Sequence, residues 1–294
     1  MAWTTPPTRA NGDVVTAGIW NQDIKDNSVY LKGLSTHVSG GYVTRSGANL
    51  LFAPDQSNRV RCYEGSEWVE KTIPDAGITV ACTGLTADTD YYLYVYDSSG
   101  TLTLERSQTA PTTQNGISVK NGSTSRTTIA RCRTNASGAI TTYNDDASTQ
   151  LVCNAYNRRV IALVKTESTD SWSYSSTAIR ALNNSASNRV QFVSSGVDAV
   201  HARAQAAVFS ATVTGTVGIG LDGTGADDST VRHRGGALSG TLDTTTAEYA
   251  AVPAAGFHYL QIVEHNGSAS ALTWYGDNGA TADTQTGIVA VVMA

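Results

Sequence analysis

The sequence predicts a mainly β protein that begins with one short helix, and three observations carry that expectation. Charged residues make up only 15% of the chain, below the roughly 25% usual in globular proteins, and Ser, Thr, Gly and Asn take their place. Short runs of alternating apolar and polar residues recur from about residue 41 onward, separated by clusters of turn-forming residues. A single segment, near the start, carries a helical pattern. With 40% hydrophobic residues over 294 positions, the chain has enough apolar surface for one large domain or several ordinary ones.

The elements follow in order. Residues 1–11 are rich in Pro and Thr and are expected to be extended. Thr16 suits a helix N-cap, and the pattern predicts a helix over 17–32, stopped by Gly33. Trp20, Ile24, Leu31 and Leu34 recur at alternating intervals of four and three, with Asn27 in the remaining slot. Such a stripe packs on its own domain, or forms a short oligomerisation or docking helix in which Asn27 sets the register. The pattern alone leaves both readings open, and residues 1–40 form the first expected unit.

A central antiparallel β domain is expected over 41–182. "NRVRCYEGSEWVEK" (58–71) reads as a hairpin, and "DYYLYVYDSSGTLTLERS" (90–107) reads as a second, turning at Ser98-Ser99-Gly100. In the latter, Tyr92, Tyr94 and Tyr96 fall on one face and Leu93 and Val95 on the other. "TTIARCRT" (127–134), "RRVIALVKT" (158–166) and "SWSYSSTAIRAL" (171–182) add strands. The polar stretch "NNSASN" (183–188) reads as a boundary. Eight short alternating runs after it predict a C-terminal β-sandwich of jelly-roll type over 183–294, its last strand ending at Ala294.

Few residues carry chemistry. "GIGLDG" (218–223) matches a dinucleotide-binding glycine pattern, but loop follows where a helix is required. Asp222, Asp227 and Asp228 cluster in that loop without the spacing of a calcium loop, so no metal site is assigned. His258 and His265 stand seven apart on an expected strand, on opposite faces. Nucleophile-elbow, zinc-protease and phosphate-loop motifs are missing from the chain. Carboxylate pairs for glycoside cleavage are always available among 25 acidic residues, so they carry no weight. No enzyme activity and no cofactor is expected.

A net charge of −5 argues against nucleic acid as a partner. The absence of a long apolar run argues against membrane insertion, and the N-terminus lacks a secretory pattern. Cys62, Cys82, Cys132 and Cys153 lie outside any C-x-x-C motif, so they are expected as reduced thiols on strands. Tyrosine is abundant, and aromatic side chains mixed with amides suit carbohydrate or protein contacts as well as ordinary cross-strand packing.

Three stretches resemble one family. "GDVVTAGIWNQDIKDNSVYLKG" (12–33) is similar to the N-terminal segment of tailed-bacteriophage virion structural proteins, through Val15, Thr16, Ala17, Asn21, Lys25, Asp26 and Asn27. "NRVRCYEGSEW" (58–68), "GLTADTDYYLYVYDSSGTLTLE" (84–105), "GISVKNGSTSRTTIARCRTNASG" (116–138) and "CNAYNRRVIAL" (153–163) resemble a domain of phage fibre-like proteins. "GFHYLQIVEHNGSASALTWYGDN" (256–278) is similar, more loosely, to phage fibre ends, where a jelly roll often trimerises. The resemblance implies a virion surface protein assembled in the host cytoplasm, attached to capsid or tail through its N-terminus. It implies a homotrimeric fibre or spike, short because no shaft region is present, that contributes to host adsorption through surface glycan or protein. A capsid decoration protein and a minor tail protein are the alternatives, and a polysaccharide depolymerase is a remote one. Trp20, Ile24, Asn27, Leu31 and Leu34 would then dock or oligomerise. The loops carrying Asp222, Asp227, Asp228, Trp274, Tyr275, Asp277 and Asn278 would face the receptor.

Overall fold

In a computed structural model the residues described are 16–19, 38–210, 212–236, 242–277, 279 and 284–294. They are mainly β, and helix among them is limited to Ala17–Ile19 and a 3-10 turn at Leu182–Asn184. The expected helix over 17–32 lies otherwise outside the described residues, as do Trp20, Ile24, Asn27, Leu31 and Leu34.

The first part of the chain folds into small antiparallel sheets around one core. Strands Gly41–Ser46, Asn49–Pro54 and Ile78–Ala81 form a three-stranded sheet in that order. Arg59–Tyr63 pairs with Trp68–Thr72, the hairpin expected from sequence. A larger sheet runs Thr101–Ser107, Asp90–Ser98, Ser123–Arg133, Ile117–Lys120, Pro111–Gln114, with Val152–Asn154 also on the long central strand. Two of its hairpins turn through Ser99-Gly100 and Asn115-Gly116, all four residues having positive φ. That is the two-residue turn whose twist matches paired strands, which is why Gly and Asn stand there. Leu93 and Val95 point into the core with Val43, Phe52, Ile129 and Cys132. Tyr92, Tyr94 and Tyr96 take the other face, where Tyr94 donates its hydroxyl to Thr109 O at 2.6 Å and Arg126 stacks on Tyr96.

The second part is two sheets packed face to face, antiparallel except where Thr149–Gln150 runs parallel to Arg189–Ser194. One contains, in order, Val160–Thr166, Gly287–Met293, Val200–Phe209, Leu242–Ala251 and Val231–His233. The facing sheet contains Arg189–Ser194, Gly256–Asn266, Thr214–Leu221 and Gly235–Gly236. Alternation is clean along Val200–Phe209, where Ala202, Ala204 and Ala206 face inward and His201, Arg203 and Gln205 outward. Phe192, Ile219, Leu260, Ile288 and Trp274 fill the space between the sheets.

The boundary expected at 183 is displaced. Val160–Thr166 pairs along its whole length with Gly287–Met293, and its Ile161 and Leu163 belong to the sandwich core. Thr149–Gln150, Ser171–Tyr174 and Arg180–Ala181 also pair with C-terminal strands. "NNSASN" is therefore an internal corner. Its polarity has a structural use: Asn188 donates its amide to buried Glu167 at 2.6 Å, and the Asn183 N–H donates to buried Glu264 at 3.2 Å. Such a segment reads as a linker only until the buried carboxylates it serves are brought beneath it.

Within the first part, side-chain amides tie the Gly41–Ser46 strand to the segment that follows the large sheet. Asn154, on the last strand of the first part, accepts from Val43 N–H at 2.7 Å and donates to Val43 C=O at 3.1 Å. Asn157 donates to the carbonyls of Ser39 at 2.8 Å and Gly41 at 3.0 Å. Leu151, Cys153 and Val193, backed by Phe257, form a small apolar cluster of their own.

Candidate functional site

The loop after Thr214–Leu221 carries the three expected acidic residues, and each is committed to protein donors. Asp222 accepts from Tyr259 N–H at 2.9 Å and pairs with His258 Nδ1 at 2.7 Å. The Asp228 carboxylate accepts from Leu221 N–H at 2.8 Å. Asp227 is almost wholly buried, accepts from Ser229 N–H at 3.0 Å and pairs with Arg232. Burial pushes its carboxyl upward, but hydrogen bonds from Ser229 and Arg232 outweigh burial and hold it below the ordinary 3.8.

The glycines of "GIGLDG" have their explanation here. A side chain at Gly218 would start 2.5 Å from the Asp227 carboxyl carbon, so glycine lets the acidic loop fold back onto the strand. Among the described residues, His, Cys, Asp and Glu nowhere gather in a group of three able to hold a metal ion, and all four cysteines are free thiols.

The expected receptor surface needs one clear correction. Trp274 is not on a loop but on the strand Leu272–Tyr275, with no exposed area. It stacks on Trp172 at 6.4 Å between ring centres and 9° between planes. The short strand pairs with Ser171–Tyr174 and with Val200–Phe209, and this pairing turns the indole inward. Tyr275 and Asp277 are half-buried, and Asn278 lies outside the described residues. Trp274 therefore drops out of the expected receptor surface.

The buried carboxylates are not accessible chemistry either. Glu264 has no exposed area and accepts from Trp172 Nε1 and Arg180 Nε, each at 2.8 Å. Burial raises its carboxyl above the ordinary 4.5 against those donors. Glu167 is also buried, yet bonds from Asn188 and Thr169 outweigh its burial and hold it below 4.5.

Two surfaces were not anticipated. The outer face of the larger C-terminal sheet is unusually apolar: Val160, Val164, Val231, Val289 and Val291 are all exposed there, Val160 by 68%. Register sets Val164 beside Val289, while Arg203 and Glu248 stand between Val289 and Val231 on the same face. Alternation in "RRVIALVKT" and "TGIVAVVMA" marks two apolar faces, but only pairing shows that their outer valines meet.

The second surface is a cleft of about 280 Å³ where the first strand meets the segment before the sandwich, lined by Tyr42, Thr44, Pro54, Tyr143, Asn144 and Arg159 among others. Its members come from stretches scattered between residues 42 and 159, so no local motif announces it. The described residues contain no helix long and apolar enough to cross a membrane. Compared with known proteins, the chain matches no protein-family model and no curated protein.

Proposed function

We propose that this chain is a bacteriophage virion surface structural protein, a short homotrimeric fibre or spike held to the particle by its N-terminus and contributing to host adsorption. The observation that carries the reading is the strand order of the C-terminal sandwich. Taking its eight main strands in chain order, the first pairs with the eighth, the eighth with the third and the third with the sixth. The second pairs with the seventh, the seventh with the fourth and the fourth with the fifth. That order supports reading the sandwich as a jelly roll, the fold that the resemblance of residues 256–278 to phage fibre ends implies.

The exposed valine face supports the trimer. Monomeric proteins rarely leave a large apolar patch in water, and here the valines are interrupted only by Arg203 and Glu248, opposite in charge and side by side between Val289 and Val231. Three copies around an axis would cover it. Weak single contacts with the host then become effective through many copies.

Mass photometry of the chain purified from virions tests the assembly: a trimer is expected, dissociating when Val289→Glu and Val291→Lys are introduced, and a monomer overturns it. Particles lacking the chain test the role. Loss of adsorption is expected; normal adsorption with breakage at lower temperature or salt would instead make it a decoration protein.

A further inference from the structure

We propose that the cleft between Tyr42 and Tyr143 binds one uncharged hexose unit of a surface polysaccharide. The inference rests on the adsorption reading for its biological setting, but its chemistry stands on the cleft itself.

Several polar side chains in and beside the cleft are used by the protein. Asp145 accepts from Thr142 N–H and hydroxyl, both at 2.9 Å. Asp146 accepts from Ser148 N–H at 3.0 Å and Thr149 hydroxyl at 2.9 Å. Gln150 accepts from Tyr143 N–H at 3.2 Å and donates to Val152 O at 2.7 Å. Three polar groups have no such partner among the described residues: the Thr44 hydroxyl, the Asn144 amide and the Tyr143 hydroxyl. All three line this cleft. Tyr143 is also the one exposed tyrosine among the described residues, 43% in solvent.

This set is what a pyranose ring needs. An aromatic face meets the apolar C–H side of the sugar, while an amide and hydroxyls meet its O–H groups. The charges bordering the cleft are neutralised in pairs. Arg45 and Asp145, the neighbours of Thr44 and Asn144, lie 2.6 Å apart. Arg159 pairs with Asp55 while stacking 4.1 Å from the Tyr42 ring centre. A charged ligand would have to break one of these pairs, so an uncharged one fits better. The Gln150 brace holds the Tyr143 backbone in place before any ligand arrives, which lowers the ordering cost of binding.

The test uses the full chain and saturation-transfer NMR with methyl glycosides of glucose, galactose, mannose and N-acetylglucosamine, and with methyl glucuronide as the charged probe. At least one neutral glycoside is expected to receive saturation. Tyr143→Ala should weaken its binding about tenfold, the loss of one aromatic contact. Asn144→Ala should weaken it as well, with the melting temperature of both variants unchanged, because both side chains are exposed. Signal from no neutral glycoside, signal that survives Tyr143→Ala, or preference for the glucuronide overturns the proposal. Particles separate this failure from that of the adsorption reading. If particles lacking the chain lose adsorption while Tyr143→Ala particles adsorb normally, the cleft is wrong and the adsorption role stands. If particles lacking the chain adsorb normally, the role is wrong and NMR alone decides the cleft.

Discussion

Replacing Asn154 by alanine should loosen the join between the three-stranded sheet and the large sheet of the first part. Asn154 and Val43 are each 1% exposed. Val43 stands opposite Phe52 in the first hairpin, yet its N–H and C=O turn away from Phe52 and bond the Asn154 amide at 2.7 and 3.1 Å. One side chain thus does what a neighbouring strand residue would do. Alanine leaves a buried donor and a buried acceptor unpaired, and each costs about 1–3 kcal/mol. Some water entry relieves part of this, so a loss of about 2–4 kcal/mol is expected in urea unfolding.

The Asn154→Asp variant sharpens the test. A carboxylate still accepts from Val43 N–H but sets a second oxygen against the Val43 carbonyl, so the loss at neutral pH should be at least as large. Once protonated, the carboxyl donates again, so this variant should recover stability relative to alanine as the pH falls. Native-state hydrogen exchange at the Val43 amide gives a local reading, with faster exchange in both variants. A loss under about 1 kcal/mol in alanine, below the cost of even one orphaned group, or unchanged exchange at Val43, would refute the reasoning.

Two further predictions concern the sandwich. Trp274→Ala should cost about 3–5 kcal/mol through the cavity it leaves. Trp274→Phe should cost much less, because the indole N–H has no partner to lose; equal losses by thermal unfolding would contradict this. Glu167 and Asp227 both titrate below their ordinary values of 4.5 and 3.8, so the stability they contribute is complete above those values and is lost as the pH falls through the lowered ones. The urea midpoint should therefore drop below about pH 4.5, and Asn188→Ala, which removes a donor to Glu167, should lower stability at neutral pH while flattening that drop.

Much of the local structure was legible in the residues. The alternation in "DYYLYVYDSSGTLTLERS" gave the strand pair and set Leu93 and Val95 on the face opposite the tyrosines, because a strand's period of two is a property of the backbone; which face turns inward came only from packing. Ser99-Gly100 was readable as a turn because few residues tolerate positive φ. The domain boundary was not legible: "NNSASN" is polar like a linker, and nothing local shows that its amides face Glu167 and Glu264. Trp274 was misplaced for the same kind of reason, since "TWYGDNG" looks like a turn until pairing with Ser171–Tyr174 turns the indole inward.

By itself, then, the sequence determined the mainly β class, most strands and the alternation of their faces, since propensity, period and turn chemistry act over a few residues. Only the tertiary structure decided which strands are neighbours, that Val160–Thr166 belongs to the C-terminal sheet, that the outer valines form one face, and that Tyr42, Thr44, Tyr143 and Asn144 share a cleft. Those facts depend on pairings across more than a hundred residues, where backbone hydrogen bonds carry no label of their partner and only the packed whole selects one register.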